Sequence, residues 1–224
     1  MRYSLRNGLT YCQAGDVVIF LDLIQGRYFG LPARCQDAFL RLVDRKGAVE
    51  SNDEDEIAVL LNNEILVETI CDDSPLLPTI SAIPRKDIND MDLGKASMPV
   101  MVRAVLWQVS TAFFLKICKI STVIEYIQRR SWGSQCEAES ILGKLNSIVA
   151  AFESTNFMMG RTDRCLERSL AMFCACRSFG ISVRVVIGVR SAPFSAHSWL
   201  ERCDVVLNDT IDNIRNFTPI LVLE

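Results

Sequence analysis

Histidine is almost absent from this chain: among 224 residues only His197 is one. Imidazole is the side chain whose ordinary pKa lets it gain and lose a proton near neutrality. Any histidine base here is therefore His197 or none. The same shortage argues against a metal. Nine cysteines are present, but no Cys-x-x-Cys. The two nearest together, Cys174 and Cys176, would point about 200° apart on a helix. With one imidazole, no zinc set of ordinary spacing is available.

Positive charge is not in surplus either. Lysine and arginine number 24 against 27 acidic residues, for a net charge of −3. Nothing electrostatic therefore favours nucleic acid as a partner. Long apolar runs are missing too. The longest, Ala104 to Leu115, lies between Arg103 and Lys116. It falls short of the roughly 20 residues that span a bilayer, so no membrane partner is expected. "MRYSLRNGLTYCQAGDVVIFLDLI" is not read as a signal peptide, because Asp22 breaks its apolar run and no small-residue cleavage site follows. The cysteines are then expected to be free thiols in a reducing cytoplasm. There is no internal repeat and no low-complexity tract.

Half the residues are hydrophobic, enough to build one large core or two small ones. Leu9 to Cys12 suggests a strand. Val17 to Leu23 is a β-rich run, "IQGR" supplies a turn, and Tyr28 to Leu31 resumes extended chain, which together read as a hairpin. Pro32 suits the first turn of a helix that carries Phe39, Leu40 and Val43 and ends at Gly47. Ser51 or Asn52 is placed to cap a second helix whose first turn is Asp53-Glu54-Asp55-Glu56, where acidic side chains suit the dipole. Ile57, Leu60 and Leu61 follow on it, and Ile65 to Glu68 is extended. No helix is evident between Arg45 and Ser51. The texture then changes. Asp72 to Ser97 holds Pro75, Pro78 and Pro84 among scattered polar residues and reads as a surface linker. The expected organisation is thus a domain at 1–71, a linker at 72–97 and a second domain at 98–224.

The second domain starts helical. Val100 to Lys119 has Val105, Val109, Ala112 and Phe113 at helical spacing, an ordinary core pattern. A short helix opens at Ser121 or Thr122, and Glu137 to Phe157 carries Ile141, Leu145, Ile148, Val149 and Phe152 on one stripe. "TDRCLERSLAMFCACRSFG" is a fourth helix, with Thr162 as cap and Gly180 as stop. "ISVRVVIGV", "HSWLERC" and "VVLND" then read as strands.

Chemistry concentrates in this last stretch. A thiol attacks a carbonyl carbon as thiolate, and a helix N-terminus or a cationic imidazole promotes that form. Cys165 stands in the first turn of its helix, where unpaired amides favour negative charge. Cys174 and Cys176 lie deep in the same helix and are expected to be packing thiols. A base must reach the nucleophile, and a third group must orient the base. His197 opens one strand and Asp209 closes the next, so helix and strands can deliver all three to one sheet edge. Asp204 and Asp212 are alternatives for the third role. The Cys165 amide is a candidate oxyanion donor.

"CLERSLAMFCACRSFGISVRVVIGVRSAPFSAHSWLE", followed by "ND", resembles the transglutaminase-like peptidase domain of lasso peptide maturation B proteins. The resemblance maps that family's cysteine, histidine and aspartate onto Cys165, His197 and Asp209. The first seventy residues resemble the PqqD-like leader-recognition domain of its single-chain members. The implied fold class is α+β: a winged-helix-type domain of hairpin and helices, then a transglutaminase- or papain-like domain of helices followed by antiparallel strands. The implied activity is a cytoplasmic cysteine peptidase that binds and removes the leader of a lasso precursor. The freed core would pass to an asparagine-synthetase-like cyclase, which uses ATP. No cofactor is implied for the peptidase itself. Leader binding would fall on Arg27, Tyr28 and Phe29 of an open hairpin edge, with Ile57, Leu60 and Leu61 closing the groove. Ser198 stands where the family commonly has alanine, a replacement expected to be neutral. Two other readings use the same residues: an amide or acyl transferase with the same triad, and a leader-binding scaffold without activity.

Overall fold

The computed structural model describes residues 2–49, 52–69, 76, 78–79, 81–129, 138–159 and 164–224. The chain divides into two compact units, Met1–Ile80 and Ser81–Glu224.

The first unit holds two small sheets and two helices. Strands β2 (Leu9–Ala14), β3 (Val17–Asp22) and β4 (Arg27–Gly30) form an antiparallel meander in the order β2-β3-β4. β1 (Arg2–Leu5) pairs with β5 (Leu66–Thr69) in a second sheet. Helices α1 (Ala33–Asp44) and α2 (Glu54–Asn62) lie between. Val18, Phe20, Phe39, Leu42, Ile57, Leu60 and Leu66 share one core. The Phe39 ring meets Tyr11 edge-on at 4.9 Å and Phe20 at 5.1 Å. Gly47 closes α1 with φ of 87°, a left-handed conformation that favours glycine. A Cβ there would sit 2.6 Å from the Tyr3 carbonyl oxygen.

α2 is not capped as its sequence suggests. Asp53 occupies the N-cap without a capping bond. Its carboxylate is bound by the Arg41 guanidinium at 2.7 to 3.2 Å instead. Ser51 lies outside the described residues.

The second unit packs helices against a four-stranded antiparallel sheet. α3 (Met98–Ile117) rests on α5 (Ala138–Met159) and α6 (Cys165–Ser178), and α4 (Ile120–Arg129) follows α3. The sheet order is β8-β7-β6-β9, from β6 (Arg184–Arg190), β7 (Ser195–Arg202), β8 (Val205–Val206) and β9 (Thr218–Leu223). A one-turn helix α7 (Ile211–Ile214) joins β8 to β9.

Two sequence expectations are corrected here. The stretch read as a linker up to Ser97 is divided: residues 81–97 belong to the second unit. The Arg85 and Lys86 amides donate to the Asp204 carbonyl, each at 3.1 Å, and Lys86 bridges to Val205. Prolines there remove donors but leave enough backbone to pair.

The second correction concerns α3. Its buried face is Ala104, Gln108 and Thr111, whereas Val109 and Phe113 are 53% and 59% exposed. Small Ala104 allows close helix approach, and Gln108 is satisfied by Thr155 Oγ1 at 3.0 Å. Of the four apolar residues at helical spacing, Val105 and Ala112 are half-buried and Val109 and Phe113 turn outward. At 20 residues, α3 is also long and apolar enough to cross a membrane by length and composition. The helix reaches that length by carrying Arg103 within it.

Candidate active site

Cys165 is the first residue of α6, where the helix amides favour a thiolate. Arg164 stands at the N-cap without a side-chain capping bond; Thr162 lies outside the described residues. His197 is the third residue of β7, paired in register with Gly188 of β6. Asp209 follows β8 and directly precedes Thr210, the N-cap of α7. Cys165, His197 and Asp209 line one cleft of about 230 Å³ with Arg168, Ser198, Asn208 and Asn213. The three residues singled out in the sequence thus meet. Asp204 and Asp212, the alternatives to Asp209, pair with Arg85 and Arg215 instead.

Packing fixes the imidazole. Its ring lies 5.1 Å from Phe217 and stacks 6.1 Å from Trp199. Trp199 is held by its indole N–H, which donates to buried Glu201 at 2.6 Å. Glycine is required opposite: a Cβ on Gly188 would lie 2.8 Å from the Trp199 ring and 3.0 Å from Phe217 Cβ.

Hydrogen bonds fix the tautomer. His197 Nε2 bonds Asp209 Oδ2, leaving Nδ1 for the thiol. Asp209 Oδ1 accepts the Thr210 amide at 2.7 Å. Asn213 Nδ2 donates to both Asp209 oxygens, at 3.1 and 2.9 Å.

The protonation states follow. Burial pushes the Cys165 thiol up, but the bond to His197, the imidazolium charge, and the Ser198 hydroxyl and amide outweigh it, leaving the thiol below its ordinary range. Burial pushes His197 down, but its bonds to Asp209 and Cys165 prevail and raise it to about 9. Burial likewise opposes ionisation of Asp209, yet the bond to His197, the Thr210 amide and Asn213 hold it below the usual carboxylate value. Folding therefore favours the thiolate, imidazolium and carboxylate forms of the three groups over their neutral forms. That arrangement supplies a nucleophile and an acid for a leaving group. Elsewhere burial alone pushes Cys12 to about 12, and it dominates at Cys176, also at about 12. Those thiols stay protonated.

Three polar residues here escape sequence reading: Asn213, Asn208 and Ser198. Ser198, expected to be neutral, lines the cleft beside Cys165 and helps to lower its thiol. Asn208, directly before Asp209 in "ND", was the one legible hint.

The leader-binding expectations divide. Arg27, Tyr28 and Phe29 lie on β4, the terminal strand of its sheet. Phe29 is half-buried and stacks on Phe20 at 5.2 Å, with the Arg27 guanidinium over its ring. Ile57 and Leu60 are 3% and 1% exposed. They belong to the core of the first unit. Leu61 lies partly buried at the core's margin.

A helix-borne cysteine with histidine and aspartate in one cleft beside an antiparallel sheet is an arrangement compatible with thiol acyl transfer. Residues 105–222, more than half of the chain, match the transglutaminase-like superfamily model, and the protein belongs to that superfamily. No curated protein and no solved structure matches the chain.

Proposed function

We propose that this protein is a cytoplasmic cysteine peptidase that removes the leader from a lasso precursor before ring closure. The observation that carries the reading is the convergence of Cys165, His197 and Asp209 in one cleft, joined to the sequence resemblance to maturation B proteins. Cys165 attacks the scissile carbonyl. His197 gives its proton to the departing amine, then takes one from the water that resolves the thioester. Asp209 orients His197 and stabilises its cation. The released core N-terminus passes to an ATP-using, asparagine-synthetase-like cyclase. The peptidase chemistry needs no cofactor, nucleic acid or membrane.

The first domain is proposed to be PqqD-like and to hold the leader. An extended peptide would add to the β4 edge, with Arg27, Tyr28, Phe29 and Leu61 as its side-chain surface.

The test is incubation of the full chain with a lasso precursor, read by mass spectrometry. Leader and core fragments that together gain one water are expected. Cys165→Ala and His197→Ala should each lose at least about 10³-fold in rate, because nucleophile and base act as a unit. A product joined to an added amine would mean transfer in place of hydrolysis. An intact precursor with the wild-type chain, cyclase present, would overturn the proposal.

A further inference from the structure

Each of the three site residues has a polar neighbour in a second, buried network. Ser169 lies one helical turn beyond Cys165, Ser198 follows His197, and Asn208 precedes Asp209. Ser169 Oγ donates to the Ser198 carbonyl at 3.0 Å. It accepts from Asn208 Nδ2 at 3.0 Å and from Ser198 Oγ at 3.4 Å. Asn208 Oδ1 in turn accepts the Leu200 amide at 2.7 Å. The network ties α6, β7 and the segment bearing Asp209 to one another. Ser169 and Ser198 are buried, where an unmade hydrogen bond is expensive.

The Ser198 hydroxyl has one proton and two takers. Ser169 Oγ is one, and the Cys165 sulfur, one helical turn before Ser169 and on the wall of the same cleft as Ser198, is the other. Ser169 does not depend on that proton, because Asn208 already donates to it at a shorter distance. The hydroxyl is a free rotor. When Cys165 is a thiol, the proton serves Ser169. When Cys165 ionises, it turns to the sulfur, and a bond to a charged acceptor is the stronger of the two.

We propose that Ser198 is a further catalytic residue, whose hydroxyl turns between Ser169 and Cys165 to stabilise the thiolate, with Ser169 and Asn208 as its positioning residues. This rests on Cys165 being the nucleophile, and not on which acyl group it takes. The other charged groups around the sulfur are His197 and Asp209, Arg168 in the same cleft, and the Arg164–Glu167 pair at the helix start.

The experiment measures the rate of Cys165 alkylation by iodoacetamide against pH, by peptide mass mapping of the folded full chain. It needs no peptide substrate, so it stands apart from the test of leader removal. Ser198→Ala removes one oxygen and keeps the amide. Its acid limb should move up by about one pH unit, the worth of a hydrogen bond to a charged group. Asn208→Ala, which leaves Ser169 dependent on the Ser198 proton, should move it the same way by less, and it carries the test if Ser198→Ala does not fold. Ser178→Ala, which removes a hydroxyl bonded only to its own helix at 2.7 Å, should leave the profile in place. If lasso precursor is cut, Ser198→Ala should lower kcat with KM unchanged. A Ser198→Ala profile superimposed on wild type would overturn the proposal. A shift in Ser198→Ala and in the Asn208 variant, with Ser178→Ala unmoved and no precursor cleaved by wild type, would uphold it and defeat leader removal.

Discussion

The Asn213 side-chain amide donates to both carboxylate oxygens of Asp209, and its nitrogen lies 3.4 Å from His197 Nε2. The carboxylate that orients the imidazole is therefore itself oriented from α7. Alanine at 213 would leave Asp209 with the Thr210 amide and His197 alone.

Asn213→Ala should lower kcat about tenfold, since a positioning partner is lost while the triad stays intact. Asp209→Asn should cost more, and Asp212→Asn almost nothing, because Asp212 is exposed and pairs only with Arg215. Initial rates of precursor cleavage check the order. A larger loss from Asp212→Asn than from Asp209→Asn would reassign the third role.

The ion pair sets a pH window. His197 titrates near 6.5 unfolded and about 9 folded. Its contribution to stability is full below about 6.5 and is lost as pH rises through about 9. Cys165 is lowered on folding, so its contribution is present above the ordinary thiol value and is lost as pH falls through the lowered one. Cleavage should plateau between those folded values, with an alkaline limb near 9. His197→Ala should return Cys165 alkylation to the ordinary thiol range, about 8.5 or above. A wild-type thiolate limb already in that range would contradict the pairing.

Gly188→Ala should destabilise the second unit by about 1–3 kcal/mol, the usual range for overpacking. Its new methyl meets the Trp199 ring and Phe217, the two rings against His197. Activity should fall further than stability requires at a temperature where the fold persists. Thermal melts and rates on the same sample separate the two, and an unchanged melt with full activity would refute the packing argument.

Leader binding should reside in the first unit. Labelled leader titrated against residues 1–80 should bind, and Tyr28→Ala should weaken it by about 1 kcal/mol, roughly fivefold, as for loss of an aromatic contact. Binding by residues 81–224 alone, with none by 1–80, would invert the division of labour.

The three reactive residues were legible because each has a chemical signature: a thiol at a helix start, the sole imidazole, an aspartate at a strand end. Their supports were not. Ser169 sits in an apolar run and Asn213 in a helix too short to show a period. Serine and asparagine gain meaning from what they meet, and Ser169 meets residues about 30 to 40 positions away. The α3 error has a different origin. α3 is apolar nearly all round, so its spacing does not report which side faces inward, and the buried side includes polar Gln108 and Thr111. β1 escaped notice because four residues carry little pattern, and its partner β5 lies some sixty residues away.

The stretch around Lys86 has a consequence for where this protein can be divided. Lys86 lies parallel to Val205 at the β8 edge, and Asp87 Oδ2 accepts the Ile211 amide at 2.9 Å, at the start of α7. The residue two positions after Asp209 is thus steadied by one more than a hundred positions before it. A gene opened at codon 98, where the proline-rich texture ends, would encode a bare sheet edge and an α7 without its anchoring carboxylate. A gene opened at codon 81 would keep both. The natural breakpoint lies inside the stretch that looks most like a spacer.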